Sequence, residues 1–457
     1  MSNMRSAAYM CEGPLLSKII RYSVPVILTG VLQLLFNAAD LIVVGRCCGS
    51  LSVAAVGATG SLINLIVNLF IGLSVGAGVA VAQGIGAGNR EGVKNAVHTA
   101  VPTAFVSGAV LTAIGVPCAR QFLTWMGTQP DVIDKSTVYM RIYFCGMIAS
   151  MLYNFGASIL RASGDIKSPL LFLSLAGVVN VLLNLLFVIA FHMDVAGVAL
   201  ATVLSQCLSA ALVLLALSKR EDDCRLRFRK IRIDPAALKE MLRIGVPAGV
   251  QASLFSVSNV IIQSSINAFG SVAMSGNAAA GNIEGFVYVA MNAFHQTAIN
   301  FTGQNFGAKK YRRIDRIVVF CLICVAGVGI VLGAGGYLAA RPLLSVYITD
   351  SAAAIEFGVV RMSLICLPYF VCGMQDVMTG VLRGMGQSMA PMVICIVGVC
   401  VFRIVWIFTV FSIPRYHTLR VLYLSYLISW TLTLSVEMAV YLLLSRKYKK
   451  RAEKEKE

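Results

Sequence analysis

Residues Gln33–Val44 read QLLFNAADLIVV, inside an apolar stretch that starts near Pro25. Read as a membrane helix, this stretch carries a carboxylate, Asp40, in its interior. An ionised Asp near a bilayer centre costs about 2.5–3.5 kcal/mol on insertion scales, so it must face a bundle interior or a wet cavity. Gln33, Asn37 and Asp40 follow one another at spacings of four and three, which puts all three on one helical face. Such a face either glues helices together through hydrogen bonds or forms an ion or proton site.

The rest of the chain has the same character. Of its 457 residues 58% are hydrophobic and only 13% charged, with a mean hydropathy of +0.80. No soluble core needs that much apolar surface, so the class is a polytopic membrane protein. The first apolar segment lacks a small-residue cleavage pattern and reads as a retained span, not a removable signal. The 13 cysteines lie mostly inside apolar segments, with no paired metal spacing, and read as small hydrophobes. His98, His192, His295 and His417 are far apart, and neither HExxH nor a nucleophile elbow occurs. Nothing in this pattern is an enzyme's, and no cofactor is expected. A net charge of +17 would suggest nucleic acid in a soluble protein, but here the basic residues cluster in alternate loops. A lipid bilayer explains that clustering without a nucleic-acid partner.

Twelve apolar runs follow, at about 24–45, 53–83, 95–116, 137–160, 169–191, 195–217, 245–267, 273–304, 316–338, 357–382, 390–411 and 421–445. Each is long enough for roughly 30 Å of hydrocarbon. Of the 38 Lys and Arg, 29 fall in or at the edges of the termini and the loops after even-numbered spans, eight in or at the edges of the opposite loops, and Arg403 well within a span. The positive-inside rule then puts both termini in the cytoplasm.

The second half restates the first at a nearly constant offset. Pro25 pairs with Pro247, Gln83-Gly84-Ile85-Gly86-Ala87 with Gln304-Asn305-Phe306-Gly307-Ala308, and Leu160-Arg161-Ala162-Ser163-Gly164 with Leu382-Arg383-Gly384-Met385-Gly386. Six spans per repeat make the repeats parallel. The expected architecture is an all-α membrane protein of twelve transmembrane helices in two pseudo-symmetric six-helix lobes. The N-lobe is 1–217, a cytoplasmic linker 218–243, the C-lobe 244–445 and a basic tail 446–457. Arg161 and Arg383 read as helix-end anchors at the headgroups, with Gly164 and Gly386 making tight turns.

These residues, with Gly281-Asn282-Ile283-Glu284-Gly285-Phe286, give the chain a resemblance to the multidrug and toxic compound extrusion (MATE) family, in its prokaryotic branch similar to the DNA-damage-inducible F proteins. The resemblance covers nearly the whole chain and implies the cytoplasmic membrane of a bacterial or archaeal cell. It implies secondary active export: two lobes alternate between inward and outward openings while protons or sodium flow in and small organic, cationic substrates flow out of a monomer. It also implies an N-lobe cation site at Asp40, Asn154, Asn180, Asn184 and Thr202. Relatives often place a second Asp where Asn184 stands here. One negative charge instead of two favours proton coupling, although sodium at Asp40 stays open because amide and hydroxyl oxygens can ligate it. No other metal is expected.

Asn180 and Asn184 lie one turn apart on one face, where amides are costly unless partnered. In the C-lobe, Asp376 is the repeat counterpart of Asn154. Glu284, Tyr288, Met291 and His295 fall at 0, 4, 7 and 11 on one face. Gln33, Asn37, Glu284, Tyr288, His295 and Asp376 are the candidates for lining a substrate cavity, and Glu437 reads as a snorkelling or structural acid. The alternative within the superfamily is a lipid-linked oligosaccharide flippase. That would need a cationic cavity, whereas Arg403 is the one strong intramembrane cation visible in the sequence.

Overall fold

The twelve apolar runs all become helices in the computed structural model, which describes residues 9–349 and 351–454. In chain order these are α1 (Leu15–Cys47), α2 (Ser50–Gly86), α3 (Arg90–Trp125), α4 (Pro130–Cys145 with Met147–Ala162), α5 (Lys167–Leu185) and α6 (Asp194–Lys219). The second half gives α7 (Pro235–Asn267), α8 (Ser271–Gly307), α9 (Tyr311–Leu338), α10 (Ala352–Cys366 with Tyr369–Gly384), α11 (Met389–Phe408) and α12 (Leu419–Lys454). Among the described residues there is no strand. The start of the chain, 1–8, and the end of the expected basic tail, 455–457, lie outside the described residues.

Nine of these helices are long and apolar enough to cross a membrane alone, and the bent pairs α4 and α10 bring the number to eleven. The remaining helix, α8, is diluted by Asn277, Asn282, Glu284, Asn292, His295 and Asn300. It can be, because its polar side chains are largely buried against neighbouring helices and find partners there.

The repeat is visible in local geometry. Span four bends by 49° at Gly146 and span ten by 42° at Pro368, positions that correspond in the two repeats. The two breaks differ: Pro368 has no N–H to donate, whereas Gly146 keeps a right-handed backbone, φ −82° and ψ −2°, and lies where a Cβ would meet Val203 at 2.8 Å. Gly164 and Gly386, expected as tight turns, have φ of 89° and 78°. That left-handed backbone is open to glycine at little cost.

Contacts divide the chain into two compact units, one over Leu28–Ser253 and the other over Met10–Ile27 with Leu254–Glu457. In the first, α2 and the start of α7 cross almost backbone to backbone. A Cβ on Gly72 would lie 2.2 Å from the Gly249 nitrogen, and one on Gly76 2.2 Å from the Met241 carbonyl oxygen. Gly72-xxx-Gly76 meets Gly245-xxx-Gly249, the small-residue spacing by which membrane helices gain van der Waals contact where no hydrophobic force acts. In the second unit the start of α1 is held on α8 by polar contacts, with Asn300 donating to the Tyr22 hydroxyl at 2.9 Å and Ser23 paired to Thr297 at 2.8 Å.

Candidate ion-coupling site

Close approach of α1 to α5 builds the site in the first unit. The Phe36 ring occupies the space beside Gly177, where a Cβ would meet it at 1.9 Å. One turn beyond Phe36 is Asp40; Asn180 and Asn184 follow Gly177 at spacings of three and seven. Packing Phe36 onto a bare backbone therefore presents the carboxylate to both amides. The Asn184 amide donates to Asp40 Oδ1. Asn180 takes the orientation in which its nitrogen faces the carboxylate, since two acceptors would otherwise meet. It then donates to the same oxygen at 2.8 Å and accepts from the Thr202 N–H at 3.3 Å. The Thr202 hydroxyl is turned back to the Val198 carbonyl at 2.9 Å. Asn184 is fully buried, yet its Oδ1 has no hydrogen-bond partner. Asp40 forms no ion pair with any described residue.

Four of the five expected coupling residues thus come together. Asn154 is half-buried and donates to the Ser150 carbonyl of its own helix at 2.8 Å. Gly177 was not legible as a site residue, although a glycine placed three and seven positions before two amides on one helical face was the available signal. We expect Gly177→Val to push Phe36 and with it α1 away, lowering coupled transport at least about tenfold while leaving expression near normal. Uptake into proteoliposomes, normalised to monodisperse protein, checks this.

The cavity candidates are placed differently from one another. Gln33 and Asn37 are exposed on α1, Tyr288 is exposed on α8, and Asp376 is half-buried on α10. Glu284 is 4% exposed and is gripped by Arg361, Nη2 to Oε2 at 2.6 Å and Nε to Oε1 at 3.0 Å. Arg361 also donates to Asn277, which accepts from the Tyr423 hydroxyl at 3.1 Å, so the pair ties α8, α10 and α12 together. Arg403 is therefore not alone as an intramembrane cation. The pairing escaped the sequence because Arg361 and Glu284 lie on separate helices, far apart along the chain.

His295 is buried, its Nδ1–H donating to the Asp376 carbonyl at 2.6 Å and its Nε2 facing Arg383 Nη1 at 3.5 Å. Because Arg can only donate, this network holds the neutral ring. One reading needs correction here. Arg383 does not anchor at the headgroups: it is 7% exposed inside the second unit, where His295 accepts from it and Asp376 and Glu437 are close enough to act on its charge. Of the two roles open to Glu437, snorkelling or structural, its burial fits the structural one: it is fully buried, accepting from Thr379 at 2.7 Å and from the Cys395 thiol at 3.3 Å.

The family model described as MatE matches residues 25–186 and again 247–409, each repeat separately. The chain belongs to the MatE family. The matches run from Pro25 in α1 through α5 and from Pro247 in α7 through α11, and so include Asp40, Asn180, Asn184, Glu284 and Asp376, but neither Thr202 nor Glu437. Among relatives, the chain is 27% identical over 388 residues to Bacillus subtilis (strain 168) "Probable multidrug resistance protein YoeA", covering 82% of each chain. It is 25% identical over 392 residues to YpnP, named likewise, from the same organism, covering 86% of this chain and 87% of that one. In three dimensions it resembles an outward-facing multidrug resistance MATE family transporter at a TM-score of 0.89 with 21% identity, over 97% of this chain and 99% of that one. A superfamily transporter from Pyrococcus furiosus aligns at 0.90, also at 21% identity, over 97% and 98%. These agree with the twelve-helix, two-lobe architecture.

Proposed function

We propose that the protein is a secondary active exporter of organic cations and amphiphiles, driven by inward flow of protons through Asp40, with both termini in the cytoplasm. One observation carries this reading most directly: a single carboxylate within the span, served by two amides and no cation, beside the unpartnered Oδ1 of Asn184. A proton on Asp40 would supply the donor that this oxygen lacks. Loss of that proton leaves a half-buried charge and a buried acceptor together, so the two protonation states favour different packings of α1 on α5. Substrate bound to the deprotonated form then leaves when the proton arrives. Exchange of one proton for one monovalent cation moves no net charge, so the membrane potential contributes nothing and the pH gradient alone drives export.

Sodium could use the same oxygens, Asp40, Asn184 Oδ1 and the Thr202 hydroxyl, but with one formal charge among them. Among the described residues no group of three or more His, Cys, Asp or Glu could hold a metal ion. We assign substrate contacts to Asp376 and Tyr288 in the second unit and to Gln33 and Asn37 in the first, with Glu284 and His295 fixing the helices of the second. The flippase alternative gains nothing from the second cation: the charge of Arg361 is spent on Glu284, and Arg403 lies 3.9 Å over the Tyr426 ring with its Nε on Ser429.

The deciding experiment loads proteoliposomes with a fluorescent organic cation and imposes a pH gradient or a sodium gradient at clamped potential. Proton coupling predicts flux with the pH gradient alone. Asn184→Asp, which adds a second charge, is expected to bring in sodium-driven flux. Flux of the unaltered protein under sodium alone would overturn the proton assignment, and flux under neither gradient would overturn the cation exporter.

A further inference from the structure

Segment 220–234, which joins α6 to α7, has no part in the coupling site. Its sequence alternates. Cys224 and Leu226 turn inward and are 2% and 1% exposed, while Arg225 and Arg227 turn outward, the period of an extended chain. A single 3-10 turn, Phe228–Lys230, then adds Arg229 and Lys230 as further exposed cations. His98 of α3 locks this stretch by accepting the Arg227 N–H at its Nε2, 3.1 Å away.

Between the segment and the start of α3 is a cavity of about 600 Å³. Its lining carries four carboxylates, Glu91, Glu221, Asp222 and Asp223, against six basic side chains, and its charges are unequally spent. Asp223 faces Lys94 at 3.3 Å and Arg90 at 3.8 Å, and Asp222 is held by Arg220 Nε at 2.9 Å. Arg232 donates to Asn95 at 3.2 Å and Arg225 to the Ser218 carbonyl at 3.2 Å. The side chains of Arg227, Arg229 and Lys230 line the same cavity and form no ion pair or hydrogen bond among the described residues. In their midst Phe228 is 56% exposed, and Ile233 just beyond is 51% exposed. Both lie between the end of α6 and the start of α7, in the loop that the positive-inside rule assigns to the cytoplasmic side.

We propose that this cavity is a headgroup site for an anionic phospholipid, its phosphate among Arg227, Arg229 and Lys230 and its acyl chains meeting Phe228. Unspent cations supply the attraction to phosphate, and an exposed aromatic ring beside them is what a membrane-surface segment inserts. A free phosphate would satisfy the cations but leave Phe228 and Ile233 in water, so the lipid uses more of the site.

Native mass spectrometry of the full chain in mild detergent, with equal phosphatidylglycerol and phosphatidylcholine, tests this. The expected result is preferential retention of phosphatidylglycerol, weakened at least about tenfold in R227Q/R229Q/K230Q, since each basic side chain at an anionic surface is worth about fivefold. Phe228→Ser is expected to weaken lipid retention as well. Because these side chains are exposed and unpaired, both variants should melt like the unaltered protein. Equal retention of the two lipids, or retention unchanged in the triple variant, would overturn the site. Displacement of phosphatidylglycerol by inorganic phosphate at matched concentration would make it a free-anion site and overturn the lipid.

Discussion

Asp40→Asn is expected to lower gradient-driven export at least about a hundredfold while leaving the fold, and exchange of one substrate molecule for another without a gradient, close to normal. Asn matches Asp in size and still offers an oxygen to the Asn184 amide that now donates to Asp40 Oδ1. What it cannot do is gain and lose a proton. Moving a two-state protein from 1:99 to 99:1 requires about 10⁴-fold differential affinity between the states. If that difference comes from protonating Asp40, its removal leaves an equilibrium that substrate can still visit but the gradient cannot bias. Paired measurements on one preparation, pH-driven uptake and gradient-free exchange, separate this from a merely structural role. Loss of both in parallel would mean that Asp40 holds the lobe together, and retention of both would mean that the proton enters elsewhere.

The second large effect lies in the other unit. Arg361→Leu and Glu284→Leu are each expected to destabilise the protein by about 3–5 kcal/mol, because either leaves an uncompensated charge in a dry interior. The double variant Glu284→Leu/Arg361→Met should recover most of that loss, since replacing a buried ion pair by apolar side chains of similar volume is often neutral. Thermal melting followed by size-exclusion fluorescence reads all three. The comparison also decides what Glu284 does. A carboxylate that mainly recognised substrate would alter selectivity with little change in melting. One gripped by Arg361 at 2.6 and 3.0 Å and linked through Asn277 to Tyr423 should change melting first.

Much of the architecture was legible because a bilayer leaves few choices. Apolar runs long enough to span it become helices, and the matched placing of Pro25 with Pro247 and of the two Gln-x-x-Gly-Ala motifs exposes the repeat. Asp40 was legible for the same reason: a carboxylate within an apolar span is costly enough to need an explanation. Sequence spacing also placed Asn180 and Asn184 on one face, as neighbours one turn apart. It could not say that Phe36 seats against Gly177 and so delivers Asp40 to them, because that depends on two helices from distant parts of the chain approaching over a missing side chain.

The charged residues of the second repeat mark the boundary more sharply. Periodicity put Glu284 and His295 on one face of α8, but a face says nothing about what stands opposite. Tertiary packing sets Arg361 against Glu284, and the Asp376 carbonyl and Arg383 against His295. It likewise buries Glu437 beside Thr379 and Cys395, which favours the structural over the snorkelling role that its place in the sequence had left open. By itself, then, the sequence determined that the chain crosses a membrane in helices, that it does so twice over, and which polar residues needed a reason to be there. Only the tertiary structure decided which of those residues satisfy one another. Cost of burial is a property of each residue alone, whereas compensation depends on partners that the chain brings together from distant positions.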